Sequence, residues 1–507
     1  MDPRISHLAA QLGYQTPELT KALSSTDGFA GYNLEPWAKL MLPFFNGLRN
    51  RTPVDSAARG ALTAEWKVMM GFPSTFDFSS AGFGKAEAAT GTALDASAVA
   101  FAAPYATQPI LGGVNLEAVD AAREFDDPFG SETATLLAAL FRLEEMMLIG
   151  GNYTALVDGS SDGAALAVGT GSYTATTYYV VTALTYQGCL ANAAADTTPS
   201  ANVRLGESAG QRVTTTSAGG SKLKAVLSWD PVPGALGYKI YAGSSKSAAT
   251  LVNPATCIAY VNGKTDSVGD AYVVETTGQQ YVTVTSCEVY GAATGAALGS
   301  QTDGTANTHS YEGYVAWAQK NTMYGKALGS NHVTYDCAGQ TLTPTGSGIA
   351  EIDAILQGLW VNLKISPTLG VASANTINAL TNALMGINSG FTNRIDLTAT
   401  RGGFTGGAYA TGYVNKFAGS MIDGTKPQVD FWAHPEFPDG TILFLTEKVP
   451  YAYSRESRGF ALDVRRPYTY WDLARTTISY PFSLLVTQTL KCYHPAAQAS
   501  ITGLRVA

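Results

Sequence analysis

Short runs of alternating hydrophobic and polar residues occupy the middle of the chain. A period of two predicts β-strands, and the runs lie at residues 174–188, 224–229, 237–243 and 280–291. The composition from about 153 to 301 is rich in Thr, Ser, Gly, Val and Tyr, so the sequence predicts an all-β module. In LSWDPVPGALGYKIYAG (227–243), the Pro231–Gly234 turn between a Trp-bearing run and a Tyr-rich run predicts a β-hairpin.

The longest helical pattern lies directly before this module. After Pro128, the run TATLLAALFRLEEMMLIGG has apolar residues at 136, 140, 143 and 147, and this spacing predicts a long helix. Ser131 is the predicted N-cap, and the helix is predicted to end at Gly150–Gly151. Glu144 and Glu145 are adjacent, so their side chains point about 100° apart and cannot share a substrate. We expect both on a solvated or interface face.

Shorter patterns flank these two regions. The first 60 residues predict an extended arm with short helical pieces. The runs 64–72 and 98–111 predict two strands that a small-residue tip at 79–93 joins into a long protruding hairpin. Later segments predict helices at 311–321, 349–363 and 373–385, the last capped by Ser373, and strands at 440–446, 483–490 and 499–504.

Composition narrows the class of protein. The hydrophobic content is 46% and the mean hydropathy +0.03, which indicates a globular chain. The net charge of -8 disfavours tight sequence-independent DNA binding, which depends on Lys and Arg. No signal-peptide order and no bilayer-spanning apolar stretch is found in the sequence, so we expect folding in a cytoplasm and no membrane partner. The five cysteines lack a C-x-x-C spacing and predict buried free thiols.

Candidate chemistry is sparse. The sequence has no G-x-x-x-x-G-K-[ST] and no H-E-x-x-H motif. The best metal candidate is the segment 430–439, with Asp430, His434, Glu436 and Asp439. Two prolines predict that this segment is a turn, which His434 and Asp439 hold in place. A metal site is not expected there, because metal ligands are normally fixed by regular elements. We therefore expect no catalytic, cofactor-binding or metal-binding residues, and a protein that is not an enzyme.

The middle module resembles the fibronectin type III and bacterial immunoglobulin-like family. The residues that carry the resemblance match the pattern W-x-x-V-x-G-A-x-G-Y-x-I-Y at Trp229, Val232, Gly234, Ala235, Gly237, Tyr238, Ile240 and Tyr241. This resemblance implies a two-sheet sandwich that binds or spaces other domains, with Trp229 packed between the sheets.

The flanks resemble another family. An arm, a hairpin, one long helix and a mixed α/β body follow one another, and four segments carry the likeness: Trp66–Lys67, FRLEEMMLIGGN (141–152), HPEFPDGTILFLTE (434–447) and YPFSLLVTQTLKCYHPAAQASITGL (480–504). Together they resemble the major capsid proteins of tailed double-stranded DNA phages, which share the Hong Kong phage and herpesvirus capsid fold. The resemblance implies an α+β fold that comprises an N-terminal arm (1–60), an extended hairpin loop (61–112), a spine helix with the start of a peripheral domain (113–153), an inserted immunoglobulin-like sandwich on the outer surface (154–301) and an axial domain with the rest of the peripheral domain (302–507).

That family forms hexamers and pentamers of an icosahedral head around double-stranded DNA, assembled in the host cytoplasm. The resemblance implies the same virion location here, with further copies, a portal, and scaffold or decoration proteins as partners, and weak non-specific contact with packaged DNA. Two other classes stay open: a phage or bacterial surface adhesin or tail protein, and a polysaccharide hydrolase with an accessory fibronectin-like module.

Eight residues are candidates for contacts between subunits. Acids interleave the C-terminal arginines, which favours pairing with a neighbouring subunit's acids over contact with DNA on an inner face. Some relatives crosslink a lysine near the hairpin tip, although a lysine there is expected for solubility alone. The candidates are Trp66, Lys85, Arg142, Glu145, Arg455, Arg458, Arg465 and Arg466.

Overall fold

The computed structural model gives a mixed α+β protein, as the sequence predicts. It describes residues 47–56, 62–71, 97–122, 127–156, 178–191, 206–208, 211–214, 225–229, 232–243, 257–261, 280–284, 293–297, 304–328, 332–337, 340–345, 348–386, 412–417, 428–449, 457–475 and 478–506. The described helices are α1 (Gly47–Arg51), α2 (Leu116–Ala122), α3 (Pro128–Gly150), α4 (Tyr186–Ala191), α5 (Tyr314–Gln319), α6 (Ala350–Leu363) and α7 (Ala374–Gly386).

The strands are mostly short. They are β1 (Val54–Ser56), β2 (Thr63–Gly71), β3 (Ser97–Pro104), β4 (Ala106–Asn115), β5 (Tyr178–Leu184), β6 (Gln211–Thr214), β7 (Ala225–Trp229), β8 (Gly237–Gly243), β9 (Cys257–Val261), β10 (Gln280–Val284), β11 (Ala293–Ala297), β12 (Thr322–Met323), β13 (Lys326–Ala327), β14 (Val333–Asp336), β15 (Pro344–Thr345), β16 (Gly348–Ile349), β17 (Leu369–Ala372), β18 (Gly412–Val414), β19 (Gln428–Ala433), β20 (Ile442–Leu445), β21 (Phe460–Asp472), β22 (Ser479–Cys492) and β23 (Ala499–Thr502).

The chain divides into two compact units. The smaller unit contains the described residues of 109–140 and 470–484, and the larger unit contains those of 45–108, 141–469 and 485–507. One sheet has the strand order β1–β21–β22–β4. Its first pair is parallel, with Val54 opposite Leu462.

A six-stranded sheet organises part of the larger unit. Its order is β14–β23–β20–β17–β19–β18, with the pairs β14–β23 and β17–β19 parallel. The apolar stripes of α6 and α7 pack with this sheet in one core, as their helical spacing predicts. Ser373 caps α7, because its Oγ accepts the N–H of Thr376 at 3.2 Å. The predicted helices and this cap are confirmed.

The base of the β2–β3 hairpin belongs to the core of the larger unit. The two strands pair antiparallel, as predicted, with Trp66 opposite Phe101. The two rings stack with centroids 5.8 Å apart, and the Trp66 indole donates to the carbonyl of Cys492 at 2.8 Å. The base therefore does not protrude, and the predicted tip at 79–93 lies outside the described residues.

Helix α3 differs from its prediction in its start and its buried face. It begins at Pro128, and the carboxylate of Asp127 accepts the N–H of Phe129 at 3.1 Å. Asp127 is thus the cap, with Pro128 at the first helical position, where proline is favoured. Ser131 lies inside the helix. In the larger unit Glu144 is fully buried, whereas Leu143 is 38% exposed, so the predicted face is displaced by one position there.

The middle region has two separate antiparallel sheets, with orders β11–β6–β5–β8–β9 and β10–β7. The short helix α4 makes the region not wholly β. The predicted hairpin is wrong, because β7 pairs with β10 whereas β8 pairs with β5 and β9. The turn between them crosses from sheet to sheet, and it is fixed where the hydroxyl of Tyr238 accepts the N–H of Val232 at 2.8 Å. The packing of Trp229 stays a prediction, since its side chain is outside the described set.

The two ends of the middle region lie side by side within the larger unit. Asn307 donates its N–H to the carbonyl of Asn152 at 3.0 Å, and the Asn152 amide donates to the carbonyl of Thr305 at 2.6 Å. A buried ion pair between Lys320 and Glu312, 3.0 Å apart, holds the same point. Adjacent ends are what an insertion requires. The immunoglobulin-like identity and the boundaries 154–301 stay predictions.

Candidate assembly site

Two adjacent glutamates of α3 form a buried carboxylate centre in the larger unit. Neither Glu144 nor Glu145 is exposed. Glu145 accepts the backbone N–H groups of Leu48 at 2.7 Å and Arg49 at 3.0 Å, in α1. The Nε2 of His434 lies 2.8 Å from the same carboxylate. Glu145 thus joins three separate parts of the chain.

Glu144 points to a different set of donors. It accepts from Nε of Arg49 at 2.5 Å, from the hydroxyl of Tyr468 and from the amide of Gln488 at 2.9 Å. Burial and the neighbouring Glu144 carboxylate raise the pKa of Tyr468, so this phenol stays a neutral donor. Arg49 therefore binds both glutamates, one through its side chain and the other through its backbone.

The prediction of a solvated or interface face for Glu144 and Glu145 is wrong. Their charges are tolerated because each carboxylate receives three hydrogen bonds, and Glu144 also pairs with the guanidinium of Arg49. A sequence signal for this existed: Glu144 lies four residues after the buried Leu140 and four before the buried Leu148. Positions four apart share a helix face. Glu145 is therefore withdrawn as a contact between subunits.

The four predicted metal candidates point to separate partners. Asp430 lies on β19 and is exposed, while the Nδ1 of His434 accepts the N–H of Glu436 at 3.1 Å. The carboxylate of Glu436 pairs with Arg142 at 2.7 Å, and Asp439 accepts from the Ser373 hydroxyl at 2.5 Å. Within the described residues, no three acids, histidines or cysteines cluster as metal ligands.

The smaller unit carries a strip of exposed apolar side chains. Six of the thirteen exposed large apolar residues of the described chain lie in it: Leu111, Leu116, Tyr470, Trp471, Leu473 and Ile478. Their segments are neighbours, because Leu116 donates its N–H to the carbonyl of Ile478 at 3.2 Å and Leu473 donates to the carbonyl of Pro481 at 3.1 Å. We call these six residues the apolar strip.

A surface pocket of about 400 Å³ adjoins the strip in the smaller unit. Aromatic rings and one charge of each sign line it, from Phe129, Tyr470, Asp472, Leu473, Arg475, Tyr480 and Pro481. The Arg475 guanidinium lies 3.8 Å from the centroid of the Tyr480 ring. Six exposed large apolar side chains within the smaller unit are the feature of the described surface that is most typical of an interaction site. The strip is the strongest candidate for an assembly surface.

The seven predicted contact residues other than Glu145 divide into four groups. Trp66 is buried in the hairpin base, so it is withdrawn as a contact between subunits. Lys85 and Arg455 lie outside the described residues. Arg142 and Arg458 pair within the chain, with Glu436 and Asp55 respectively. Arg465 and Arg466 are exposed on β21, and Arg465 lies 5.9 Å from the centroid of the Tyr105 ring.

No described helix is long and apolar enough to cross a bilayer. No protein-family model and no curated protein matches the chain. Among solved structures, it is similar to the capsid asymmetric unit of cyanophage A-1(L), with 10% identity, 96% of this chain and 99% of that chain covered and a TM-score of 0.44.

Two further solved structures match over nearly the whole chain. The capsid of Myoviridae phage XM1 has 8% identity, with 92% of this chain and 95% of that chain covered and a TM-score of 0.35. A structure from Mycobacterium phage Bobi has 9% identity, with 96% and 98% covered and a TM-score of 0.36. The cyanophage and XM1 structures are capsids.

Proposed function

We propose that this protein is the major capsid protein of a tailed double-stranded DNA phage. The observation that carries the proposal is the order of elements along the chain. The paired strands β2 and β3 precede the long helix α3, which is followed by the mostly β middle region and then by a six-stranded sheet with two helices. This is the order that the sequence resemblance implies for a capsid subunit.

The exposed surface of the smaller unit supports a self-assembling role. The apolar strip would be unfavourable on a monomer, and burial against another copy would remove it from water. In the proposed function the copies form hexamers and pentamers, whose rings close by head-to-tail contacts. The proposal includes no catalytic activity.

The remaining parts of the proposal concern partners and location. Copies of the chain would enclose double-stranded DNA in a virion capsid, with a portal and scaffold or decoration proteins, after assembly in the host cytoplasm. The net charge of -8 fits weak contact with DNA, since strong contact needs a basic surface. The inserted module would lie on the outer surface.

Substitution in the strip tests this assembly role. Ile478 is 77% exposed and Val361 is 57% exposed, on the smaller unit and on α6 respectively. We expect Ile478→Asp to abolish large assemblies in multi-angle light scattering and to leave the circular dichroism spectrum unchanged. The matched control Val361→Asp should assemble normally. Assembly of Ile478→Asp at the level of the unaltered chain would contradict a role for the strip.

A further inference from the structure

Strand β21 has an edge that is only partly covered. Its parallel partner β1 reaches from Leu462 to Val464, and no other described strand pairs with β21 on that side. Beyond Val464, residues 465–468 and 470–472 are exposed, and Thr469 is half-buried. An edge of this kind offers backbone donors and acceptors to another strand.

The covered end shows which residues face this edge. Leu462 donates its N–H to the carbonyl of Pro53, just before β1, at 2.8 Å. In a regular strand the backbone groups alternate between its two sides, so the even-numbered residues face the β1 side. Tyr468, Tyr470 and Asp472 therefore point their N–H and C=O groups toward the edge. Pro467, which has no N–H, faces the other side.

The sequence of this segment is self-complementary. It reads Arg-Pro-Tyr-Thr-Tyr-Trp-Asp from 466 to 472. If two copies run antiparallel about Thr469, each Arg466 stands opposite Asp472 and each Tyr468 stands opposite Tyr470. Centres at 467, 468, 470 or 471 leave Arg466 without an acid opposite it. Opposite charges and aromatic pairs across strands stabilise a sheet.

We propose that β21 pairs antiparallel with β21 of a second copy of this chain, about a two-fold axis at Thr469. The inference rests on the proposed function and names one contact that a shell needs. Head-to-tail contacts close rings, whereas a contact between identical surfaces relates two copies by a two-fold axis and joins one ring to the next.

Backbone and side chains fit this arrangement together. The hydrogen-bonded pairs are Arg466 with Asp472 and Tyr468 with Tyr470, which are the residues that face the edge. The ring of Tyr468 lies against Phe141 with centroids 5.3 Å apart, and its hydroxyl donates to Glu144. Helix α3, which carries both of these residues, therefore holds the strand in place. Arg466 also interacts within its own chain, and the acid of the second copy is an additional partner.

A disulfide at the axis tests the register. Thr469 faces itself in a non-hydrogen-bonded pair, where the Cα atoms are about 4.5 Å apart, within disulfide range. Thr469→Cys should form a disulfide-linked dimer under mild oxidation, whereas Tyr470→Cys faces Tyr468 and should not. The unaltered chain controls for the native cysteines. The inference is overturned if Thr469→Cys forms no disulfide-linked dimer, or if Tyr470→Cys forms as much of it as Thr469→Cys does.

Charge exchange gives a second test that needs no new cysteine. Arg466→Asp and Asp472→Arg should each weaken dimerisation at least tenfold in sedimentation velocity, because like charges then meet. The double variant restores both pairs and should dimerise like the unaltered chain. A double variant no better than the singles overturns the pairing.

The outcomes separate this inference from the proposed function. If Thr469→Cys forms shells in electron micrographs but no disulfide-linked dimer, the strand pairing is overturned and the capsid role stays intact. If Thr469→Cys forms the disulfide in discrete dimers, without shells, the result supports the pairing and contradicts the capsid role.

Discussion

Removal of the Glu145 carboxylate is expected to release α1 from the rest of the larger unit. Glu145→Ala leaves three donors without their acceptor: the N–H groups of Leu48 and Arg49 and the Nε2 of His434. The Nδ1 of His434 accepts from Glu436, so the ring proton is on Nε2 and faces Glu145. The variant lacks the carboxylate that lies 2.8 Å from this nitrogen.

The size of the effect follows from burial. Each buried donor left without a partner costs about 1–3 kcal/mol. Three such donors are left by the change, so we expect a loss of at least about 3 kcal/mol. A loss of about 3 kcal/mol corresponds to more than a hundredfold faster exchange where local opening limits exchange.

The exposed ion pair between Arg51 and Glu447 provides a control, because it also holds α1. Arg51 and Glu447 pair at 2.8 Å with side chains 46% and 38% exposed, so Glu447→Gln should cost less than about 1 kcal/mol. Hydrogen exchange at the amides of Leu48 and Arg49, on unassembled protein, measures both variants. Equal protection of these amides in Glu145→Ala and Glu447→Gln would refute the idea that the buried centre fastens α1.

Three further changes test other parts of the larger unit. Burial lowers the pKa of His332 from 6.5 to about 4. As the pH falls, the unfolded chain therefore takes up a proton before the folded chain does, and the free energy of unfolding decreases by about 3 kcal/mol between pH 6.5 and pH 4. His332→Gln should remove most of this decrease when urea unfolding is measured at a series of pH values. A Cβ at Gly150 would lie 2.0 Å from the ring of Tyr186, so Gly150→Ala should lower stability by about 1–3 kcal/mol in urea unfolding, and an unchanged midpoint would contradict this packing. Lys320→Met leaves the carboxylate of Glu312 buried without its cation and should cost about 3–5 kcal/mol in thermal unfolding; a loss below about 1 kcal/mol would show that the pair matters little.

Amphipathic elements were predictable from the sequence because their burial is one-sided. Helices α6 and α7 present apolar residues at helical spacing to a single core. The hairpin strands β2 and β3 follow the same logic, since one of their faces is buried. In each case the local period determines the face, and no distant contact is needed to infer it.

Elements that depend on distant partners were not predictable in this way. Strand β21 begins with buried apolar residues but continues into exposed arginines and tyrosines, so its second half lacks a two-residue hydrophobic period. Strand β17 has only four residues, all buried, and so shows no alternation. The separation of β7 from β8 is likewise set by pairing with strands that lie far away in the sequence.

The candidate site shows the same division. The sequence predicts that the two glutamates of α3 lie at the surface, because a carboxylate is normally exposed unless it is paired. Their partners Arg49 and His434 lie 95 and 289 residues away from Glu144 and Glu145, respectively, and no local pattern predicts them. The apolar strip depends on three segments brought together by the fold.

Electron microscopy of the full chain after size exclusion tests the capsid role most directly. We expect rings or closed shells of uniform diameter with knobs on the outer surface, where the inserted module would lie. A stable monomer or a slender trimer at the same concentration would contradict this role.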